Sequence, residues 1–269
     1  MRSQALAVSL LSFPLFVWGC ASSTPTGRRQ AEQPSTEQEY APAGLDLKDP
    51  LAPTMLMREG QALVAEGKIA EGLARFRVAV RIQPANPTIY NLIGQAELRR
   101  KDAVKALAAF TQAISLAPTY TDARNNRGAA YVALGQLSLA EADFLSALTD
   151  TIYSNRAGVQ YNLGALYVAR GNLAAAEENL RRAATPAGPV EAYVLLGQVQ
   201  QRLEKPDLAE ASFRAATQRA PERVDVAMML ARHLESTGRR DEALKYYRRV
   251  IELGPGSPEA AEARAKLGT

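Results

Sequence analysis

Few residues in this chain are able to do covalent or acid–base chemistry. His233 is its only histidine and Cys20 its only cysteine. A single histidine rules out a histidine-pair zinc site and argues against a Ser-His-Asp relay, and a single cysteine provides no disulfide and no thiolate cluster. His233 lies beside apolar periodic positions, where a packed or surface imidazole is the ordinary explanation. The acidic pairs Glu177-Glu178 and Asp241-Glu242 fall in helical stretches whose polar face water would solvate. There is no Gly-rich phosphate loop ending in Lys-Ser/Thr, and no G-x-S-x-G. With no catalytic constellation, the expectation is a binding protein, not an enzyme, with no metal, cofactor or small-molecule substrate.

Cys20 still has chemistry available to it, because of what precedes it. In "MRSQALAVSLLSFPLFVWG", Arg2 is the only charge, and an apolar run from Ala5 to Trp18 leads to Gly19. The run is short for a membrane span and is interrupted by Ser9, Ser12 and Pro14, so it has the form of a secretory signal peptide. A small residue directly before a cysteine at this place resembles the lipobox of bacterial lipoproteins. That resemblance implies cleavage before Cys20, acylation of its thiol and attachment to a membrane through the lipid. Ala21 stands where an Asp resembles an inner-membrane retention signal, so the outer membrane, on its periplasmic face, is expected. The alternative is an ordinary cleaved signal peptide with an unmodified cysteine.

Residues 1–19 are thus assigned to the signal peptide and 20–52 to a lipidated cysteine with a tether. The tether is made of Ser, Thr, Pro, Gln and Glu without apolar periodicity and cannot bury enough surface to offset chain entropy. As a flexible coil it would reach about 30 Å.

From residue 53 to 269 a different pattern takes over. Gly60, Gly94, Gly128, Gly164, Gly197 and Ala231 recur at spacings of 34, 34, 36, 33 and 34. Twelve residues beyond each stands a small residue: Gly72, Ala106, Ala140, Ala176, Ala209 and Ala243. Four further on is a large apolar one (Phe76, Phe110, Phe144, Leu180, Phe213, Tyr247), then Ala79, Ala113, Ala147, Ala183, Ala216 or Val250. Most units close on a proline, at Pro84, Pro118, Pro221 and Pro255. This period resembles the tetratricopeptide repeat. The resemblance implies an all-α superhelix of about six helix-turn-helix units, near 53–86, 87–120, 121–154, 157–189, 190–223 and 224–257, with a capping helix over 258–269.

Small residues let two helices approach, the large apolar one fills the gap, and proline stops the ladder. One unit cannot bury its own apolar face, so the units must stack. In this repeat family the first helices line a concave wall. The wall residues here are Met57, Gln61, Asn91, Gln95, Leu98, Asn125, Val132, Tyr161 and Val168, with Val64, Ala129, Ala165, Val194 and Gln198 beside them. The middle units lack the Lys and Arg of tetratricopeptide clamps for acidic C-termini. An apolar and amide-rich wall suits an apolar segment whose backbone needs hydrogen-bond partners; the other use of the same residues is packing between units. Net charge is +4 and aromatics make up 6%, with no clustered basic tract, so no nucleic-acid partner is expected.

The period slips by two residues at "DTIYSNRAGVQYNLG", 150–164. Asp150, Thr151, Tyr153 and Arg156, followed by Asn162, Leu163 and Gly164, together with the lipobox, linker and six units, are similar to the type IV pilus pilotins. That resemblance implies an outer-membrane lipoprotein that brings secretin subunits to their membrane, inserts them or lets them multimerise, and on which pili and pilus-dependent motility rely. The remaining alternative is a tetratricopeptide lipoprotein scaffold for other envelope complexes. At the slip itself, Tyr153 either covers a widened joint or touches the partner.

Overall fold

Small residues at fixed spacing demand close helix pairs, and close helix pairs are what form. The computed structural model describes residues 45–268. Cys20, the signal stretch and residues 21–44 lie outside the described residues. Thirteen helices occupy the described chain, with no strand among them. They are α1 (Ala52–Ala65), α2 (Ile69–Ile82), α3 (Pro87–Arg99), α4 (Ala103–Leu116), α5 (Thr121–Ala133), α6 (Leu137–Thr149) and α7 (Arg156–Ala169). Then come α8 (Leu173–Ala183), α9 (Val190–Arg202), α10 (Pro206–Arg219), α11 (Val224–Ser236), α12 (Arg240–Leu253) and α13 (Pro258–Leu267). Odd-numbered helices are the first helices of successive units, even-numbered ones the second, and α13 closes the stack. The fold is the expected all-α tetratricopeptide superhelix.

The first five units are clamped at their repeating glycine. A methyl group built on Gly94 would stand 2.4 Å from Cε1 of Phe110, and one on Gly60 2.4 Å from Cε1 of Phe76. Gly128 meets Phe144 at 2.5 Å and Gly197 meets Phe213 at 2.7 Å, whereas Gly164 faces Cγ of Leu180 at 2.5 Å. All six large apolar residues of this register are fully buried. Helix starts are set locally. Asn86, Asp102, Asn172 and Ser257 cap α3, α4, α8 and α13 by accepting from backbone N–H groups, and Pro87, Pro206 and Pro258 occupy first turns, where a missing N–H costs nothing.

Within a unit the turn needs one residue in the left-handed region. Gly67, Gly135, Gly171 and Gly238 take it, but Lys101 (φ 69°) and Glu204 (φ 57°) hold the same place in the second and fifth units. These two L-residues are strained there.

The slip is a longer link. Residues 150–155 join α6 to α7, whereas 83–86, 117–120 and 220–223 make the corresponding links elsewhere. A second long link, 184–189, follows the short helix α8.

Candidate functional site

Neighbouring first helices touch one another, α3 with α5, α5 with α7 and α7 with α9, and so form the inner wall of the superhelix. On that wall, across α5, α7, α9 and α11, opens a cavity of about 570 Å³. Its walls are Ala129 and Val132 from α5, Tyr161, Ala165 and Val168 from α7, Val194 and Gln198 from α9, and Met229 from α11. The helical period of three and four brings these residues to one face, because 129/132, 161/165/168 and 194/198 lie one turn apart. The size is that of a peptide or small-ligand pocket, and the surface is mostly apolar.

Two polar groups on this wall are not fully satisfied. The Tyr161 hydroxyl has no hydrogen-bond partner among the described residues; burial, with a lesser contribution from Glu191, raises its pKa and keeps it a neutral donor. Gln198 Nε2 donates only to the thioether of Met229, at 3.8 Å, which is a weak acceptor. Both residues line the cavity with hydrogen-bonding capacity to spare.

One end of the cavity is charged. Arg223 donates from Nη1 to Glu191 at 2.5 Å, and from Nη2 and Nε to Asp225 at 2.6 and 3.1 Å. The guanidinium holds the Asp225 carboxyl below the usual carboxylate range. The trio carries two negative charges against one positive. Sequence reasoning missed it, because its members sit at helix starts and Glu191 lies 32 residues before Arg223.

The wall predicted from the sequence is only partly the wall of the cavity. Val132, Tyr161 and Val168 line it. Met57 packs instead into the core of the first two units, with Leu56 and Phe76, and Leu98 packs against Ala106 and Phe110. Gln61 and Gln95 are exposed away from it. The cavity therefore belongs to units three to six.

Asn91 and Asn125 require a correction. Both are buried, at 5% and 7% exposure, and both are bonded to other units of the stack. Asn91 Nδ2 donates to the Tyr120 hydroxyl at 3.2 Å, and Asn91 Oδ1 accepts from Asn126 at 2.9 Å. Asn125 Oδ1 accepts from Asn162 at 2.9 Å. A buried amide without partners is costly, and these amides find theirs in the neighbouring unit, so they hold units together.

The joint residues also turn inward. Asp150 Oδ2 accepts from Thr121 Oγ1 at 2.7 Å, and the Tyr153 hydroxyl donates to Asp122 at 2.6 Å. Arg156 donates to the carbonyl of Leu148 at 2.8 Å. Thr121 and Asp122 form the first turn of α5, so the long link is tied to one wall of the cavity. His233 is buried as well: Nδ1 meets Gln201 at 2.8 Å and Nε2 meets the Pro206 carbonyl at 3.1 Å.

A solenoid of paired helices with an apolar inner cavity defines a tetratricopeptide-repeat binding protein. The tetratricopeptide-repeat family model matches residues 57–121, 105–157 and 194–258, more than half of the chain, and the protein belongs to that family. Among solved structures, PilF of Pseudomonas aeruginosa superposes with a TM-score of 0.67 at 18% identity, over 80% of this chain and 97% of that one. PilW, a widely conserved type IV pilus biogenesis factor, gives 0.67 at 20% identity, over 77% and 96%. YrrB, a tetratricopeptide protein with an unusual peptide-binding site, gives 0.52 at 21% identity, over 71% and 97%. At such identities the shared property is the fold. The chloroplastic tetratricopeptide protein PYG7 of Arabidopsis thaliana is 36% identical over 70 residues, 26% of this chain and 23% of that protein. The match thus spans about a quarter of the length of that curated relative.

Proposed function

We propose that this protein is a pilotin of the type IV pilus: an outer-membrane lipoprotein, anchored through Cys20 on the periplasmic face, that assists secretin subunits in localisation, insertion or multimerisation. The apolar cavity of units three to six is the observation that carries this reading. It is joined by the likeness in fold to PilF and PilW along nearly their whole length. A secretin subunit crossing the periplasm exposes surface destined for the membrane, and exposed apolar surface aggregates. A cavity with apolar walls, the Tyr161 hydroxyl and the Gln198 amide takes up an apolar segment and bonds its backbone. Lipid anchoring raises the local concentration of the bound subunit at its target. No nucleotide enters this scheme, because insertion itself is downhill.

The test is an immunoblot of outer membranes for heat-resistant secretin multimers. Deleting the protein, or introducing Val132→Asp or Val168→Asp into the cavity, is expected to abolish multimers while monomer persists. Cys20→Ala is expected to release the protein from the membrane and reduce multimers. Multimers unchanged on deletion would refute the pilotin role and leave a lipoprotein scaffold for other envelope complexes. Multimers lost on deletion but retained with Val168→Asp would remove the cavity from it.

A further inference from the structure

The first unit differs from all the others in what covers it. In the repeat register, Met55 corresponds to Ile89, Ala123, Val159, Ala192 and Val226, each 0% exposed, and to Ala260 in α13, also 0%. Met55 itself is 52% exposed. Ala62 is likewise exposed, while its counterparts Ala96, Ala130, Leu166, Val199 and His233 are at most 1% exposed. Leu51, one turn before Met55, is 63% exposed, and Leu47 is 41% exposed. On the outer side of α1, Met55 and Ala62 thus lie open at the two positions that later units bury, with Leu51 and Leu47 exposed beside Met55.

The later units show what should lie there. Ile89 and Ala96 share a core with Phe76 and Ala79 of the preceding second helix. Val159 and Leu166 share one with Ala140, Phe144 and Ala147, and Ala130 with Ala106 and Phe110. In each case the cover is an amphipathic helix with a small residue, a large apolar residue four positions on and a small residue three beyond that.

We propose that the open end of the stack, centred on Met55 and Ala62, docks one amphipathic helix of another protein, seated where a preceding unit's second helix would lie. The seat continues an interface that the chain repeats along its whole length, which gives both the shape of the occupant and its spacing of small–x3–large–x2–small. Other occupants fit less well. A second copy stacked head to tail would present α13, a first-type helix, to a seat shaped for a second-type one. Residues 21–44 are interrupted by Pro25, Pro34 and Pro42 and contain no run of the needed length. A bilayer would have to accommodate Arg58, exposed between Met55 and Ala62, whereas a docked helix leaves that guanidinium at its rim.

The test uses the full chain in phosphatidylethanolamine vesicles, with the photocrosslinker p-benzoylphenylalanine at position 55. The probe is a synthetic peptide of residues 103–118, which carries Ala106, Phe110 and Ala113 in the required spacing. Illumination is expected to give a saturable adduct of protein and peptide. The adduct should fall at least about tenfold with Ala62→Glu, which would place an unpaired carboxylate under the peptide. Position 142, exposed on α6, should give none. Met55 and Ala62 are at the surface, so neither change threatens folding. Adducts only with lipid or with residues 21–44, or a peptide adduct indifferent to Ala62→Glu, would overturn the proposal. The readout is independent of secretin assembly, so it stands or falls apart from the pilotin reading.

Discussion

Gly94→Ala should change the sign of its effect with the residue opposite. In the native protein the added methyl meets Cε1 of Phe110 at 2.4 Å and both Cδ1 and Cζ at 2.6 Å. Real contacts never come so close, so α3 and α4 must separate. Overpacking of this kind costs about 1–3 kcal/mol. Against it stands the better helix propensity of alanine, about 1 kcal/mol. The net is a loss of about 1 kcal/mol. Phe110→Ala alone removes a fully buried ring and should cost about 3–5 kcal/mol. In that background the clash is gone, the propensity gain remains, and the methyl occupies part of the hole. Gly94→Ala should then stabilise by about 1 kcal/mol or slightly more. The coupling between the two sites is thus about 2 kcal/mol. Urea unfolding of the four proteins, followed by far-UV circular dichroism, measures it. If Gly94→Ala destabilises equally in both backgrounds, the glycine is not there to admit the ring, and the account of the repeat given above fails at its centre.

Three further outcomes are expected. Lys101→Gly, which relieves a left-handed backbone at φ 69°, should stabilise the protein by up to about 1 kcal/mol, measured as a raised urea midpoint. Arg127 and Asp143 form a two-pronged ion pair at 2.7 and 2.8 Å within the third unit; Arg127→Met leaves a buried carboxylate unpaired and should cost about 3 kcal/mol, most of which the double variant Arg127→Met, Asp143→Leu recovers in the same assay. Burial lowers the pKa of His233 below its ordinary 6.5, so the native protein binds fewer protons than the unfolded chain once pH drops below that value. Its stabilising contribution is full above 6.5 and is lost as pH falls towards the folded pKa, so the thermal midpoint should decline between about pH 7 and 5 in the native protein and not in His233→Gln.

Much of the fold was legible because its determinants are local and repeated. Gly94 and Phe110 have no freedom of choice when two helices cross so closely, and that necessity is printed at every unit. The cavity was legible only in part. Val132, Tyr161 and Val168 follow from register alone, since a first helix must turn one face inward. Asn91 and Asn125 share that register. Whether an amide on such a face meets a partner or a neighbouring unit depends on whether another amide or a phenol stands one unit away, at the right height. Tyr120, Asn126 and Asn162 do, and only the folded geometry brings them within 3.2 Å. The trio Glu191, Arg223 and Asp225 was invisible for a related reason: charged residues at helix starts are usually solvated, and nothing in their types tells that Arg223 leans across to α9.

The slip at residues 150–155 acquires a physical role from these contacts. Two of its polar side chains turn inward: Asp150 and Tyr153 bond Thr121 and Asp122 at the start of α5. Thr151, Ser154 and Asn155 are exposed, and so is the apolar Ile152, at 92%. The helix that follows the link, α7, contributes Tyr161, Ala165 and Val168 to the cavity, and the helix to which the link is tied contributes Ala129 and Val132. The link thus leads into one wall of the cavity and is tied to the start of another. Tyr153, bonded to Asp122, covers the joint from the start of α5, so removing its hydroxyl in Tyr153→Phe leaves the Asp122 carboxylate without that donor and should loosen the link, read as faster amide exchange over residues 150–155.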